Sequence, residues 1–230
     1  TMRKYLGPGL LFLLSLSACS GKKSFQQNIT QLEKSLSEQN NAATARSLST
    51  AYLNYVDSFQ EDTIWNSRYL YRYAALSYRM QDVAAAIGAL HRALEDYYPG
   101  DNSANNAQLL ASFYREDLQK DAIALLILSA ADWAFPGEQL NPVPASDLNV
   151  LIEQLDTLRN QVFSPGTYTV NFPLANDYVI SIEEFSRVAP RHPQTPDLLL
   201  KAAEMARGIK TYQKAIELFD RLISNYPGHP

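Results

Sequence analysis

The chain has 230 residues, enough for one sizeable domain or a short solenoid, with 46% hydrophobic and 19% charged residues. That balance excludes a long disordered acidic tail, and a formal net charge of -4 without basic clustering excludes nucleic acid and an anionic membrane surface as obvious partners. A single cysteine can form no internal disulfide and no Cys-rich zinc site, and only nine glycines in a chain rich in Ala, Leu and Tyr favour helices.

The N-terminus has the anatomy of a processing signal. Arg3 and Lys4 precede the apolar run Leu10-Leu11-Phe12-Leu13-Leu14-Ser15-Leu16, and the small residues Ser17 and Ala18 lead into Cys19. The run is shorter than the roughly 20 apolar residues of a spanning helix, and Gly7-Pro8-Gly9 interrupts its start. Leu16-Ser17-Ala18-Cys19 closely resembles the lipobox of bacterial lipoproteins. The resemblance implies diacylglycerol on the Cys19 thiol, cleavage of residues 1–18, and Cys19 as the new N-terminus. Several acyl chains on one residue anchor stably, where one chain gives only marginal binding. Ser20 stands where an inner-membrane lipoprotein of proteobacteria carries Asp, so the resemblance implies the outer membrane. Residues 19–25 read as a short lipidated tether without an acidic run, which favours a periplasm-facing protein.

Beyond the tether the period is helical. Ile29, Leu32 and Leu36 share one face of a first helix. A second helix is expected over residues 42–59, with a stripe of Leu48, Tyr52, Tyr55, Val56 and Phe59. A third starts near Asp62-Thr63, where Asp can cap free N–H groups, and carries Trp65, Tyr69, Leu70, Tyr73, Ala74 and Leu76. Asp82 opens a fourth, stopped by Tyr98-Pro99-Gly100. Helices over 106–115 and 122–135 follow, the second apolar on nearly all sides and therefore buried. Residues 136–146, with Pro136, Pro142 and Pro144, read as a loop, and another helix spans 147–162. Ser164-Pro165-Gly166 marks a turn. Tyr168, Val170 and Phe172 then alternate with polar residues in an extended connector, and helices resume from about Leu174.

Self-comparison gives the fold. Leu199-Leu200-Lys201-Ala202-Ala203, Tyr212, Ala215-Ile216, Phe219, Leu222 and Tyr226-Pro227 resemble the tetratricopeptide repeat (TPR), a helix-turn-helix unit of about 34 residues. The resemblance implies Ala203 and Ala215 as the small pair where two helices cross, Tyr212 as the turn aromatic and Phe219 as the plug between repeats. Small side chains let helix backbones approach closely, which is the physical need such a pair meets. Leu70, Ala74, Val83, Ala86-Ile87, Leu90, Ala93-Leu94 and Pro99 match the same template, with one extra residue before the proline. Residues 55–59 and 185–193 each echo a second helix, whereas 100–170 does not match well. The expected fold is all-α, an α-solenoid of TPR-like antiparallel helix pairs: an N-terminal helical region over 26–135, the Pro-rich loop at 136–146, and a C-terminal helical region over 147–230 with a TPR hairpin at about 196–229. An end directly after a repeat's second helix leaves an apolar stacking face uncovered.

The chain carries few signs of catalytic chemistry. His91, His192 and His229 lie at no metal-ligand spacing, and neither a nucleophile elbow nor a phosphate-cradling Gly-rich loop is present. His192 reads as a turn residue. Adjacent Glu183 and Glu184 point different ways on a helix and cannot pair as acid and base. No enzyme, cofactor or metal is therefore expected. Arg68, Tyr71, Tyr78 and Arg79 occupy positions that the TPR resemblance places along a concave groove, and Arg donors beside Tyr faces suit a peptide carboxylate or an extended acidic segment.

In layout the chain resembles TPR lipoproteins of Bacteroidetes-type envelopes. This implies an outer-membrane-anchored scaffold for envelope proteins or peptide segments. Two other lipoprotein types share features with it: a BamD-like outer-membrane assembly factor, with more regular repeats, and a SusD-like glycan-binding protein, with long inserted loops that this chain lacks.

Overall fold

A computed structural model describes residues 9–140, 147–163 and 169–229, with side chains from Gly21 onward. Ten helices occur among the described residues: α1 (Gly9–Gln39), α2 (Ala42–Ser58), α3 (Thr63–Arg79), α4 (Val83–Asp96), α5 (Ser103–Glu116), α6 (Asp121–Ala134), α7 (Leu148–Val162), α8 (Phe172–Val188), α9 (Thr195–Gly208) and α10 (Tyr212–Asn225). The fold is all-α, and neighbouring helices pack side by side, α1 on α2, α2 on α3, α5 on α6, α8 on α9 and α9 on α10, consistent with a TPR-like solenoid. No described helix is long and apolar enough to cross a membrane.

Local chemistry sets most helix starts. Asn41 Oδ1 accepts from Ala43 N at 2.7 Å, Asp82 Oδ1 from Ala85 N at 3.0 Å, and Asp147 Oδ1 from Asn149 N at 2.8 Å. Asn171 Oδ1 accepts from Leu174 N at 3.2 Å, and Pro173 fits the first turn, so α8 starts at Phe172, two residues before the expected point. The alternating stretch ahead of it contains a single antiparallel bridge, Phe163 to Val170. Tyr168, the 164–166 turn and residues 141–146 of the Pro-rich loop lie outside the described residues.

The stretch read from the sequence as a tether belongs to α1. Residues 19–25 are helical, continuous with the rest of α1. Lys22 Nζ pairs with Asp62 Oδ2 at 2.6 Å, and the Phe25 ring meets Phe59 edge-on at 5.4 Å. A basic and an aromatic residue with partners on a neighbouring element overcome the single Gly21, whose helical cost is about 1 kcal/mol.

Two kinds of helix ending recur, each on four of the ten described helices. After α1, α3, α5 and α9 the chain passes through one left-handed, non-glycine residue: Asn40 (φ 36), Gln81 (φ 64), Gln119 (φ 53) and Lys210 (φ 64). The turns after α3 and α9 match bond for bond. Met80 N donates to Leu76 O, Gln81 N to Tyr78 O and Asp82 N to Ser77 O; Ile209 N donates to Met205 O, Lys210 N to Arg207 O and Thr211 N to Ala206 O. This correspondence puts Ala74 with Ala203 and Ala86 with Ala215, all four buried, as the TPR resemblance implies. The second ending closes α2, α6, α8 and α10. Their caps Phe59, Phe135, Ala189 and Tyr226 share φ between -134 and -121 and ψ between 54 and 63. Each is followed three residues later by an N–H donated back to the cap carbonyl.

The molecule divides into two compact units, Thr1–Ala89 and Leu90–Pro230, with the boundary inside α4. In the first unit α2 packs against α1 and α3. Its core is aromatic: Tyr52 and Tyr55 of α2 contact Tyr69 of α3 at 5.4 and 4.8 Å between ring centres. Their hydroxyls reach outward, Tyr52 donating to Glu33 and Tyr55 to Asp62. In the second unit α5 packs on α6, α8 on α9, and α9 on α10, with α6 seated directly on α8. Helix α7 lies against both α6 and α8. The middle of the chain thus departs from a regular order at α7, while α5–α6 forms a third repeat-like hairpin with buried Ala111 and Ala124 in the crossing positions.

Candidate peptide-binding groove

Helix α3 presents Arg68, Tyr71, Arg72, Ala75, Tyr78 and Arg79 at spacings of three and four residues, hence along one face. That face borders a groove within the first unit. One wall is Glu33, Leu36, Ser37 and Asn40 of α1 and its turn; the other is Tyr71, Arg72, Ala75, Leu76 and Arg79; Leu48 and Tyr52 form the floor. This section holds about 390 Å³. A second section of about 690 Å³ shares Leu36, Asn40, Leu76 and Arg79, and continues to Asn41, Ala42, Ala45, Arg46, Met80 and Asp82.

The structure therefore brings two of the four expected patch residues, Tyr71 and Arg79, into the groove. Arg68 is exposed with its guanidinium 5.6 Å from the Trp65 ring centre, and neither it nor half-buried Tyr78 lines either section. Glu33, Tyr52, Arg72 and Arg46 were not foreseen. Arg72 had a readable signal, being one turn from Arg68 on the same face. Glu33 and Arg46 lie on other helices, and only packing brings them together with α3.

Electrostatics separates the arginines. Glu33 Oε1 pairs with Arg72 Nη1 at 2.7 Å and accepts from the Tyr52 hydroxyl at 2.6 Å. Burial, together with the bond to the Glu33 carboxylate, pushes the Tyr52 phenol far above its ordinary value, so it remains a donor. Arg79 Nη2 donates to the neutral Asn40 side chain at 3.2 Å. Aromatic and aliphatic surface, guanidinium donors and carboxamides suit an extended polypeptide segment with apolar and acidic side chains. Cys19 lies in the helical stretch of α1, and its thiol falls outside the described side chains.

The other concentration of charge is in the second unit. Arg187 donates through Nη1 to Glu184 at 2.9 Å, Nη2 to Glu183 at 2.6 Å and Nε to Glu95 at 2.6 Å. Glu183 also pairs with Lys214 at 3.0 Å, Glu95 with Arg221 at 2.6 Å, and the Tyr114 hydroxyl donates to Glu184 at 2.8 Å. His91 Nε2 is 2.9 Å from the same Glu184 oxygen, an electrostatic contact without hydrogen-bond alignment. The two glutamates do turn apart, one toward α10 and one toward α4 and α5, but both are buried, which the sequence pattern did not indicate. Burial works to raise both carboxyls; the surrounding cations outweigh it and hold them below the ordinary range.

His192 is the turn residue expected: its N–H donates to Ala189 O, its carbonyl accepts from Thr195 N, and its ring packs against Phe185 and Trp133. Among the described residues no three His, Cys, Asp or Glu side chains gather as a metal site.

The tetratricopeptide repeat family matches residues 197–229, the α9–α10 hairpin. No curated protein matches the chain. A TPR helical repeat is in general a surface for binding proteins or peptides, and this hairpin supports such a role here.

Proposed function

We propose that the chain is an outer-membrane lipoprotein that organises other envelope proteins, held by acyl chains on Cys19 and binding partner segments in the α1–α3 groove. The observation that carries the binding half is that groove: two connected sections with a tyrosine and leucine floor and arginine rims. A preformed surface on packed helices binds at low ordering cost, since the receptor has little freedom left to lose. The anchoring half is supported by Leu16-Ser17-Ala18-Cys19 behind a charged and apolar lead.

The test is crosslinking of the native protein in its envelope, followed by mass spectrometry of both the crosslinks and the N-terminal peptide. The expected result is a diacylated Cys19 and reproducible crosslinks from the groove to a small set of envelope proteins. Replacing Tyr71 and Arg79 together by alanine is expected to deplete those partners at least tenfold, a loss of more than about 1.4 kcal/mol. An unmodified thiol sinks the anchor, and undiminished recovery of every partner sinks the groove.

A further inference from the structure

The two ends of the groove differ in chemistry, and this difference carries an inference that rests on the peptide-binding reading above. In the inner section the Arg72 cation is already matched by Glu33. The outer section is floored by Leu36, Ala45, Leu76 and Met80 and rimmed by Arg46 and Arg79. Among the described residues, neither rim guanidinium lies within ion-pair distance of a carboxylate: Arg79 bonds the neutral Asn40, and the Arg46 side chain is exposed to solvent. Asp82 also lines this end, with Oδ1 occupied as the acceptor that caps α4. Met80 adds a 38% exposed thioether side chain at its edge.

We propose that the outer section captures an internal acidic side chain of an extended partner segment. The carboxylate sits between Arg46 and Arg79, and an adjacent aliphatic or aromatic side chain rests on Leu36, Leu76 and Met80. Charge complementarity selects this occupant. A guanidinium without a carboxylate partner gains charge-assisted hydrogen bonds, and apolar walls beneath it reduce the screening that weakens such bonds in open water. A basic segment is repelled, and a purely apolar one leaves both cations as they were. Because the two sections share four residues, an extended chain advancing about 3.3 Å per residue continues from one into the other.

The experiment presents the full chain, in detergent micelles, with immobilised synthetic peptides whose carboxyl ends are amidated, so that charge comes only from side chains. One set places glutamate between leucine and phenylalanine; a second replaces the glutamate by glutamine; a third replaces leucine and phenylalanine by serine. The first set is expected to bind about tenfold more tightly than either control, the scale of losing one charged hydrogen bond or one apolar anchor. Added salt is expected to narrow the acid preference. Arg46→Gln with Arg79→Gln abolishes that preference at unchanged helical circular dichroism, and Arg46→Lys with Arg79→Lys retains part of it. Equal binding of the glutamate and glutamine sets, binding by none of the sets, or an intact acid preference in the glutamine variant each overturns the inference. The scaffold reading fails on a different measurement, the loss of all native crosslinks to other proteins.

Discussion

Arg187 and Glu184, one turn apart on α8, form a 2.9 Å ion pair in which the arginine side chain is 7% and the glutamate side chain 2% exposed. The same guanidinium also meets Glu183 and Glu95, so one cation bridges carboxylates of α4 and α8, with Lys214 and Arg221 adding to the balance. Removing one member of a buried pair costs more than the pair contributes, because the other charge remains without water.

Arg187→Met is therefore expected to destabilise the second unit by about 3–5 kcal/mol. The double variant Arg187→Met with Glu184→Met is expected to recover part of that loss, since it buries one fewer unmatched charge. The two tryptophans make this measurable: Trp65 belongs to the first unit and Trp133 to the second. Urea unfolding in a Trp65→Phe background follows Trp133 alone. A midpoint unchanged by Arg187→Met would show that the network contributes little.

The pH dependence has a definite sign. Burial raises the Glu183 and Glu184 carboxyls, and the cations, Arg187 foremost among the charges on Glu183, bring both below the ordinary value near 4.3. Groups depressed in the folded state contribute stability above their unfolded pKa and lose it as pH falls through the folded value. Burial lowers the His192 pKa, so its unfolded form takes up a proton first, starting near pH 6.5. The Trp133 urea midpoint is expected to decline gently below about pH 6.5 and steeply below about pH 4.5. His192→Asn flattens the upper step only. A midpoint that rose on acidification would contradict both assignments.

Left-handed backbone at Gln81 and Lys210 crowds any Cβ, at roughly 1–2 kcal/mol for an ordinary residue, while glycine adopts it freely. Lys210→Gly, with no large side-chain burial to lose, is expected to stabilise the α9–α10 hairpin by about 0.5–1 kcal/mol. Lys210→Val is expected to destabilise it by at least as much, β-branched residues tolerating this region worst. Thermal melts of the three proteins decide the order, and valine equal to glycine would refute the strain.

Much of the fold was legible because apolar spacing and capping residues are local signals. Asp62, Asp82 and Asp147 announced α3, α4 and α7, and the alanines at 74, 86, 203 and 215 announced two helix-turn-helix segments with matching turns. The third, α5–α6, escaped because its turn holds one more residue, with Lys120 N donating six residues back to Tyr114 O, and because Asp121 stands where α10 has the aromatic Tyr212, although Pro136 closes it after Phe135 as Pro227 does after Tyr226. Helix α5 also begins before the expected Asn106, since Ser103 Oγ accepts from Gly100 N at 2.9 Å inside a polar run that reads as loop. The groove was half legible. Helical spacing gave its α3 face, but which arginine is matched depends on Glu33 and Arg46, and no spacing along α3 reveals a partner from α1 or α2. Arg187 was invisible for the same reason: its partners lie up to 92 positions away.

Because α6 rests directly on α8, position along the chain and adjacency in the second unit part company at α7. Buried Leu148, Leu151, Ile152, Leu155 and Val162 tie α7 itself to its neighbours, so variation in length can concentrate in the stretches that lead into and out of this helix. The α6–α8 seam then acts as a splice that keeps the remaining helices in step.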